Sequence, residues 1–415
     1  MSTSFWLKNI KLETGYLQDE KGAYTTKTEI FHLKIEGGKI VEKQYSSYEI
    51  PKDELTVDAG GLLALPSFRE MHNHLDKTYL SLDWKACRPV KNLEERLQYE
   101  AMELEELAPT AKQRASKMIE LLLSKGSTHI RTHVNIDPYI GLKNLEGVRA
   151  ALEDYSGKLT YEIVAFPQHG LLSENVIPLM KEAMRSGADI VGGLDPAGID
   201  RNIEKSLYEV MNLSTEFNAD IDIHLHDGGH LGYYTIDKFA EMVEDAGWHN
   251  RTSVSHAFCL GEVPLSQAEE MADKLSELGM SIMSTIPITK SLPPIELLDR
   301  KGVNVYLGCD GFYDSWGPFG NGDLLEKLSR YGELYRKSDE KSLAQSLKWA
   351  TGGPVPLKRN GEVAWPLKGE EASMILVSAS CSAEAVARTP KREAVIFRGK
   401  VVAGQLLNSP NGLPI

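Results

Sequence analysis

Two histidines one residue apart, His72 and His74 in "REMHNHLDK", follow directly on the apolar run "LLALPSF". Alternate residues of a strand point the same way, so an H-x-H pair on a strand aims both imidazoles at one point. Chemistry-bearing side chains recur at similar places along the chain. His133 ends "THIRTH", Gln168 and His169 follow "YEIVAFP", and Asp195 follows "DIVGGL". His224, His226 and Asp227 close "DIDIHLHD", His256 closes "TSVSH", and Asp310 follows "VNVYLGC". Each has an unremarkable reading on its own: a lone histidine is commonly a hydrogen-bonded structural residue, Asp310 can cap a helix, and Gln168 can brace a loop. Jointly, H-x-H on one strand, histidines on two later strands and an aspartate on the last describe a metal site.

These positions converge only if the elements carrying them form a closed ring. Eight short β-rich apolar runs, at 62–65, 129–133, 161–166, 189–194, 220–226, 252–256, 280–285 and 303–308, alternate with helical patterns at 93–106 with 111–123, 145–153, 177–186, 202–217, 236–246 and 265–278. That is the number and size of a (β/α)8 TIM barrel, whose chemistry sits at the C-terminal ends of its strands. A doubly wound open sheet is the rival, but no Gly-x-Gly-x-x-Gly turn follows an early strand. Short strands with tight turns fill both ends of the chain, at Gly37-Gly38 and Arg398-Gly399. The expected organisation is a small β-sandwich domain built from residues 1–61 and 366–415 around a barrel spanning 62–365.

Composition narrows the class. A chain of 415 residues, 42% hydrophobic, can bury a large core. Its net charge of −13, with no Lys/Arg-dense run, disfavours nucleic acid or an anionic membrane as partner. No stretch approaches the roughly 18 apolar residues of a membrane span, and "MSTSFWLKNIKLETG" lacks the apolar core of a signal peptide, so the expectation is a cytoplasmic enzyme. Cys87, Cys259, Cys309 and Cys381 form no C-x-x-C pair and read as reduced.

The motifs "MHNHLDK", "RTHVNID", "IVAFPQHG", "IDIHLHD", "SVSHAF" and "LGCDGFYDSWGPFGNGD" together resemble the amidohydrolase superfamily, in its cytosine deaminase-like branch. The H-x-H-L-D-K form is similar to that of the N-isopropylammelide isopropylaminohydrolases. The resemblance implies one divalent metal ion, Zn2+ or Fe2+, held by His72, His74, His224 and Asp310. It implies attack of a metal-bound hydroxide on a ring carbon that bears an amino group, releasing the amine, with His256 and Asp310 moving protons. The absence of lysine in "IVGGLDP" favours a mononuclear site over a binuclear one. By the same resemblance Gln168 reads the substrate's amide face and Trp316 covers a flat heterocycle, while Lys77 offers a donor to the substrate or pairs with Asp76 or another carboxylate. Asp227 stands where cytosine deaminases carry a proton-donating glutamate, with His226 as a substitute donor or substrate contact. Cytosine itself is therefore a doubtful substrate. Hydrolysis of a cyclic amide or N-acyl bond is the enzymatic alternative, and a noncatalytic binding barrel is a third reading. The implied partner is a small heterocycle, and the relatives imply a homo-oligomer.

Overall fold

A computed structural model describes residues 4–406; the outermost residues of the expected terminal domain, 1–3 and 407–415, lie outside it. The N-terminal part forms β1 (Ser4–Gln18), β2 (Tyr24–Glu36), β3 (Lys39–Tyr45), β4 (Thr56–Asp58) and β5 (Leu63–Pro66). Eight strands then alternate with helices: β6 (Phe68–Asn73), β7 (Ser127–Asn135), β8 (Thr160–Phe166), β9 (Ile190–Leu194), β10 (Asp220–Leu225), β11 (Thr252–His256), β12 (Ser281–Ser284) and β13 (Val305–Leu307). The chain ends in β14 (Met374–Val377), β15 (Arg392–Phe397) and β16 (Lys400–Gly404).

β6 to β13 pair in sequence order, all parallel. The ring closes where Asp310 N donates to the His72 carbonyl at 2.8 Å, beside a parallel bridge between Asn73 and Asp310. Gly308 permits that closure, because a Cβ there would stand 2.4 Å from the Cβ of His72 and 2.6 Å from its carbonyl oxygen. Helices cover the outside through apolar stripes such as Leu207, Val210 and Met211 or Met271, Ala272 and Leu275, all buried in one core with the outward faces of the strands. Side-chain caps start several of them: Asn92, Asn202 and Asp339 accept from backbone amides of the first turn. The structure is a TIM barrel with a separate terminal sheet, and among the described residues no helix is long and apolar enough to cross a membrane.

The run at 62–65 is a correction to the sequence reading. It forms β5, which pairs antiparallel with β14 in the terminal sheet, and the first barrel strand is Phe68–Asn73, which itself carries His72. Pro66 has no N–H with which to continue a ladder, so the chain changes sheets there. "FREMHN" looks polar because this end of the barrel is filled with polar side chains. The terminal sheet, β16-β15-β14-β5-β1-β2-β3 with β4 beside β1, folds back on itself around its own core of Leu7, Ile10, Leu33, Met374 and Ile396. Ala372 joins its two hairpins, donating to the Gly38 carbonyl at 2.8 Å and accepting from Gly399 N at 2.9 Å.

Candidate metal centre

At the C-terminal mouth of the barrel, His72 on β6, His74 just past it, His224 on β10 and Asp310 after β13 meet. His74 Nε2 stands 3.3 Å from His224 Nε2, and Asp310 Oδ1 stands 3.6 Å from His72 Nε2 and 3.5 Å from His74 Nε2. Two N/O ligands held about 2.0–2.1 Å from one ion at near-tetrahedral angles stand roughly 3.3 Å apart. The donor set therefore fits a divalent ion, and His72 Nε2 is buried with no hydrogen-bond partner among the described residues. Burial holds His74 down to about 3 and His224 and His256 well below the usual histidine range, so these imidazoles are neutral, as metal ligation requires. Burial opposes the charge on Asp310, but His72 and His74 outweigh it and hold the carboxyl well below the ordinary range.

His256 ends β11 with Nε2 3.9 Å from Asp310 Oδ2. His256 and Asp310 both adopt left-handed backbone conformations, φ 70° and 65°, as does Asp195 at 35°. Non-glycine residues held there store about 1–3 kcal/mol each, a cost that clusters at functional sites.

Behind the ligands runs a polar chain through the barrel interior. Ser255 Oγ donates to Asp222 Oδ1 at 2.7 Å, so its contact with His72 Nδ1 at 2.8 Å must be the one it accepts. His72 thus carries its proton on Nδ1 and presents the Nε2 lone pair to the centre. Asp222 Oδ2 accepts from Arg131 Nη1 at 2.9 Å, and Arg131 Nε donates to Glu162 Oε2 at 2.8 Å. Glu70 Oε1 accepts from the amides of His72 and Cys309, tying the first and last strands together.

Lys77, Gln168 and Trp316 form a second cluster. Lys77 Nζ, almost wholly buried, donates to Gln168 Oε1 and pairs with Glu100 at 3.1 Å, and it does not pair with Asp76. Glu100 also accepts from Trp316 Nε1 at 2.7 Å. The ammonium lies 5.3 Å from the Phe166 ring, which stacks on His224 at 4.1 Å, so this cluster adjoins the histidines. Trp316 is exposed on one side. Asp76 instead accepts from Asn135 N and Asn144 Nδ2, both at 3.0 Å.

His226 stacks on His256 at 4.3 Å, and its Nδ1 meets Asp195 Oδ2 at 2.9 Å. Its surroundings oppose a charge, but Asp195 more than offsets this and raises its pKa. Asp195 also accepts from the amides of His226 and Asp227, so its carboxylate is engaged away from the ligand set. Asp227 does not face the histidine cluster through any hydrogen bond; its Oδ2 accepts from the Ala197 and Gly198 amides at 3.1 and 3.2 Å.

Glu100, Ser255 and Asp222 are contributors that sequence reasoning missed. Glu100 sits mid-helix among five other glutamates of 94–106, and only the fold shows which one is buried. Asp222 carried a signal, since it lies two residues before His224 and so faces the same way, whereas Ser255, directly before His256, carried none.

The sequence profile of the amidohydrolase family matches residues 172–403. The chain is 41% identical over 405 residues to the uncharacterized protein YahJ of Escherichia coli (strain K12), covering 97% of this chain and 88% of that protein. The crystal structure of N-isopropylammelide isopropylaminohydrolase from Burkholderia multivorans superposes with a TM-score of 0.85 at 29% identity, covering 98% of this chain and 100% of that one. That of 5-methylcytosine deaminase from Klebsiella pneumoniae, liganded with 5-fluorocytosine, gives 0.77 at 25% identity, covering 96% and 98%.

Proposed function

The chain belongs to the amidohydrolase family and is a hydrolase of carbon–nitrogen bonds, and from that premise we propose that it uses one divalent ion to remove an amino group from a heterocycle such as a pyrimidine, a triazine or a cyclic amidine. The observation that carries the reading is the convergence of His72, His74, His224 and Asp310: His74 Nε2 stands 3.3 Å from His224 Nε2, and Asp310 Oδ1 stands 3.6 and 3.5 Å from His72 and His74 Nε2. Those four side chains would hold the ion, Zn2+ or Fe2+, which when bound acidifies a water molecule toward neutral pH and so supplies the nucleophile. Engagement of Asp195 by His226, with no lysine at that strand end, supports a single ion.

Asp310 accepts the proton from the attacking water and passes it to the departing amine, and His256, 3.9 Å away, stabilises the developing charge. Gln168, fixed by Lys77, presents its amide to the ring's carbonyl and N–H edge. Trp316, anchored by Glu100, covers the ring face. His226, braced by Asp195, is placed to protonate a ring nitrogen in the role the deaminase glutamate fills elsewhere. A small heterocycle in a cytoplasmic homo-oligomer completes the proposal.

Ammonia or amine release by the metal-loaded protein against a panel of aminopyrimidines, aminotriazines and cyclic amidines tests this. One member is expected to turn over, with at least a hundredfold loss in Asp310→Asn and His256→Ala while both variants stay folded by circular dichroism. Wild-type rates in both would overturn the assignment. The tie between Asp227 and the 197–198 loop favours one second reading, cyclic-amide hydrolysis, which would show as ring opening without ammonia.

A further inference from the structure

Arg131 belongs neither to the ligand set nor to the proposed mechanism, yet it is a cation buried inside the barrel. It stands on β7, and its Nη1 crosses the ring to meet Asp222 Oδ2 at 2.9 Å on β10, a strand that is not its neighbour. The same nitrogen reaches Ser253 Oγ at 3.3 Å, while Nε donates to Glu162 Oε2 at 2.8 Å on the adjacent strand. A buried guanidinium is tolerated where carboxylates balance its charge, and Asp222 and Glu162 do so here. His133 Nε2, 3.9 Å from Asp222 Oδ2, is beyond hydrogen-bond reach, so Arg131 is the donor on that oxygen among the described residues.

What Arg131 settles is a direction. Guanidinium N–H groups donate and never accept, so the Asp222 oxygen facing them must accept. With its charge matched by Arg131, Asp222 accepts at both oxygens, and Oδ1 takes the Ser255 hydroxyl at 2.7 Å. Ser255 Oγ is left to accept from His72 Nδ1 at 2.8 Å, and His72 Nε2 keeps its lone pair on the side of Asp310. The opposite polarity is just as good for the inner links. A group at 222 that donated to Ser255 would turn the hydroxyl onto His72 Nδ1 and move the imidazole proton to Nε2, which could then not ligate. Neither Ser255 nor His72 chooses between the two, because a hydroxyl and an imidazole each donate and accept. The permanent donor at the far end does.

We propose that Arg131 is a positioning residue for the metal centre: acting through three hydrogen bonds, it fixes the polarity of the chain that leaves His72 Nε2 free to ligate. This rests on the reading that His72 holds a divalent ion.

Asp222→Asn gives the sharpest test, because a carboxamide has one accepting and one donating end. With Arg131 present its oxygen must face the guanidinium and its NH2 group the Ser255 oxygen, which reverses the chain. In Arg131→Met/Asp222→Asn the carboxamide is free to turn its oxygen to Ser255. Zinc affinity of the full-length protein, by competition with a chromophoric chelator, is expected to fall at least about tenfold in Asp222→Asn and in Arg131→Met, to stay near wild type in Arg131→Lys, and to recover about tenfold from Asp222→Asn to the double variant. An Arg131 that only supports the fold makes the double variant the weakest binder, and that result overturns the proposal. Imidazole nitrogen NMR of the metal-free wild type reads the chain without depending on any variant's fold: a proton on His72 Nδ1 is expected, and one on Nε2 overturns the proposal. Wild-type protein that binds no zinc would overturn the metal reading itself, a failure separate from that of the chain polarity, which the tautomer reports without metal.

Discussion

Chemistry at this site depends on which nitrogen of each imidazole is free, and that is decided one bond away from the ligands. Ser255 cannot donate to His72 while it donates to Asp222, so the His72 tautomer is set by a serine and a fully buried aspartate. Ser255→Ala should therefore lower metal affinity about 10- to 100-fold with little change in fold, measured by competition with a chromophoric chelator; unchanged affinity would mean that the tautomer is held some other way. Residue type and strand-end position marked His72, His74, His224 and Asp310 as candidates in the chain, and the family resemblance singled them out as the proposed ligand set. Glu100 could not, because its importance lies in meeting Lys77 and Trp316, which are 23 and 216 positions away. Asp227 shows the opposite limit: its position suggested a proton donor, while its carboxylate is taken up by two loop amides.

The strands that carry these residues meet in a ring whose seam passes through the site. β6 and β13 join where Gly308 lies against His72, and the amide of Asp310 is bonded to the His72 carbonyl. A methyl group at 308 would overlap three atoms of His72, so Gly308→Ala should displace a ligand and strain the closure together. The expected outcome is weaker metal binding and a destabilisation of about 1–3 kcal/mol, read by chelator competition and urea denaturation; a variant with unchanged metal affinity would show that the seam is slack. Most elements were readable from alternating apolar runs and helical periods, and the barrel followed from their count. The first strand was not, since "LLALPSF" and "FREMHN" adjoin and hydrophobicity favours the wrong one. An apolar run says that a strand is buried but not which sheet buries it, and the strand bearing the metal pair is polar because the barrel interior there holds Glu70, His72, Arg131 and Asp222.

The two ends of the chain close on one another away from the site. Glu13 on β1 accepts from the Ser382 amide at 2.5 Å, its other oxygen is buried without a hydrogen-bond partner among the described residues, and burial raises its pKa to about 7 despite that bond, with Glu340 adding to the rise. A carboxyl with a folded-state pKa above its unfolded value near 4.5 favours the native state in its protonated form. The stability tied to it is complete below pH 4.5 and lost as pH rises through 7, a span of about 3 kcal/mol. Glu13→Gln should match the wild type at pH 5 and exceed it at pH 8 in urea denaturation; a difference independent of pH would show that Glu13 does not titrate in this window. The pairing of the termini was suggested by the echo of "IEGGKIV" in "FRGKVVA", and the Ala372 hydrogen bonds between those hairpins are its physical form.

The whole arrangement, from the ring of strands to the Ser255–Asp222 relay, holds a set of neutral nitrogens and one carboxylate around a point. Removing the metal with a chelator and restoring one equivalent, while following ammonia release from the best amino heterocycle, asks whether that point is where turnover happens. Loss of turnover on stripping and its return with a single equivalent of Zn2+ or Fe2+ is the predicted result. Turnover that persists in fully stripped protein would contradict it.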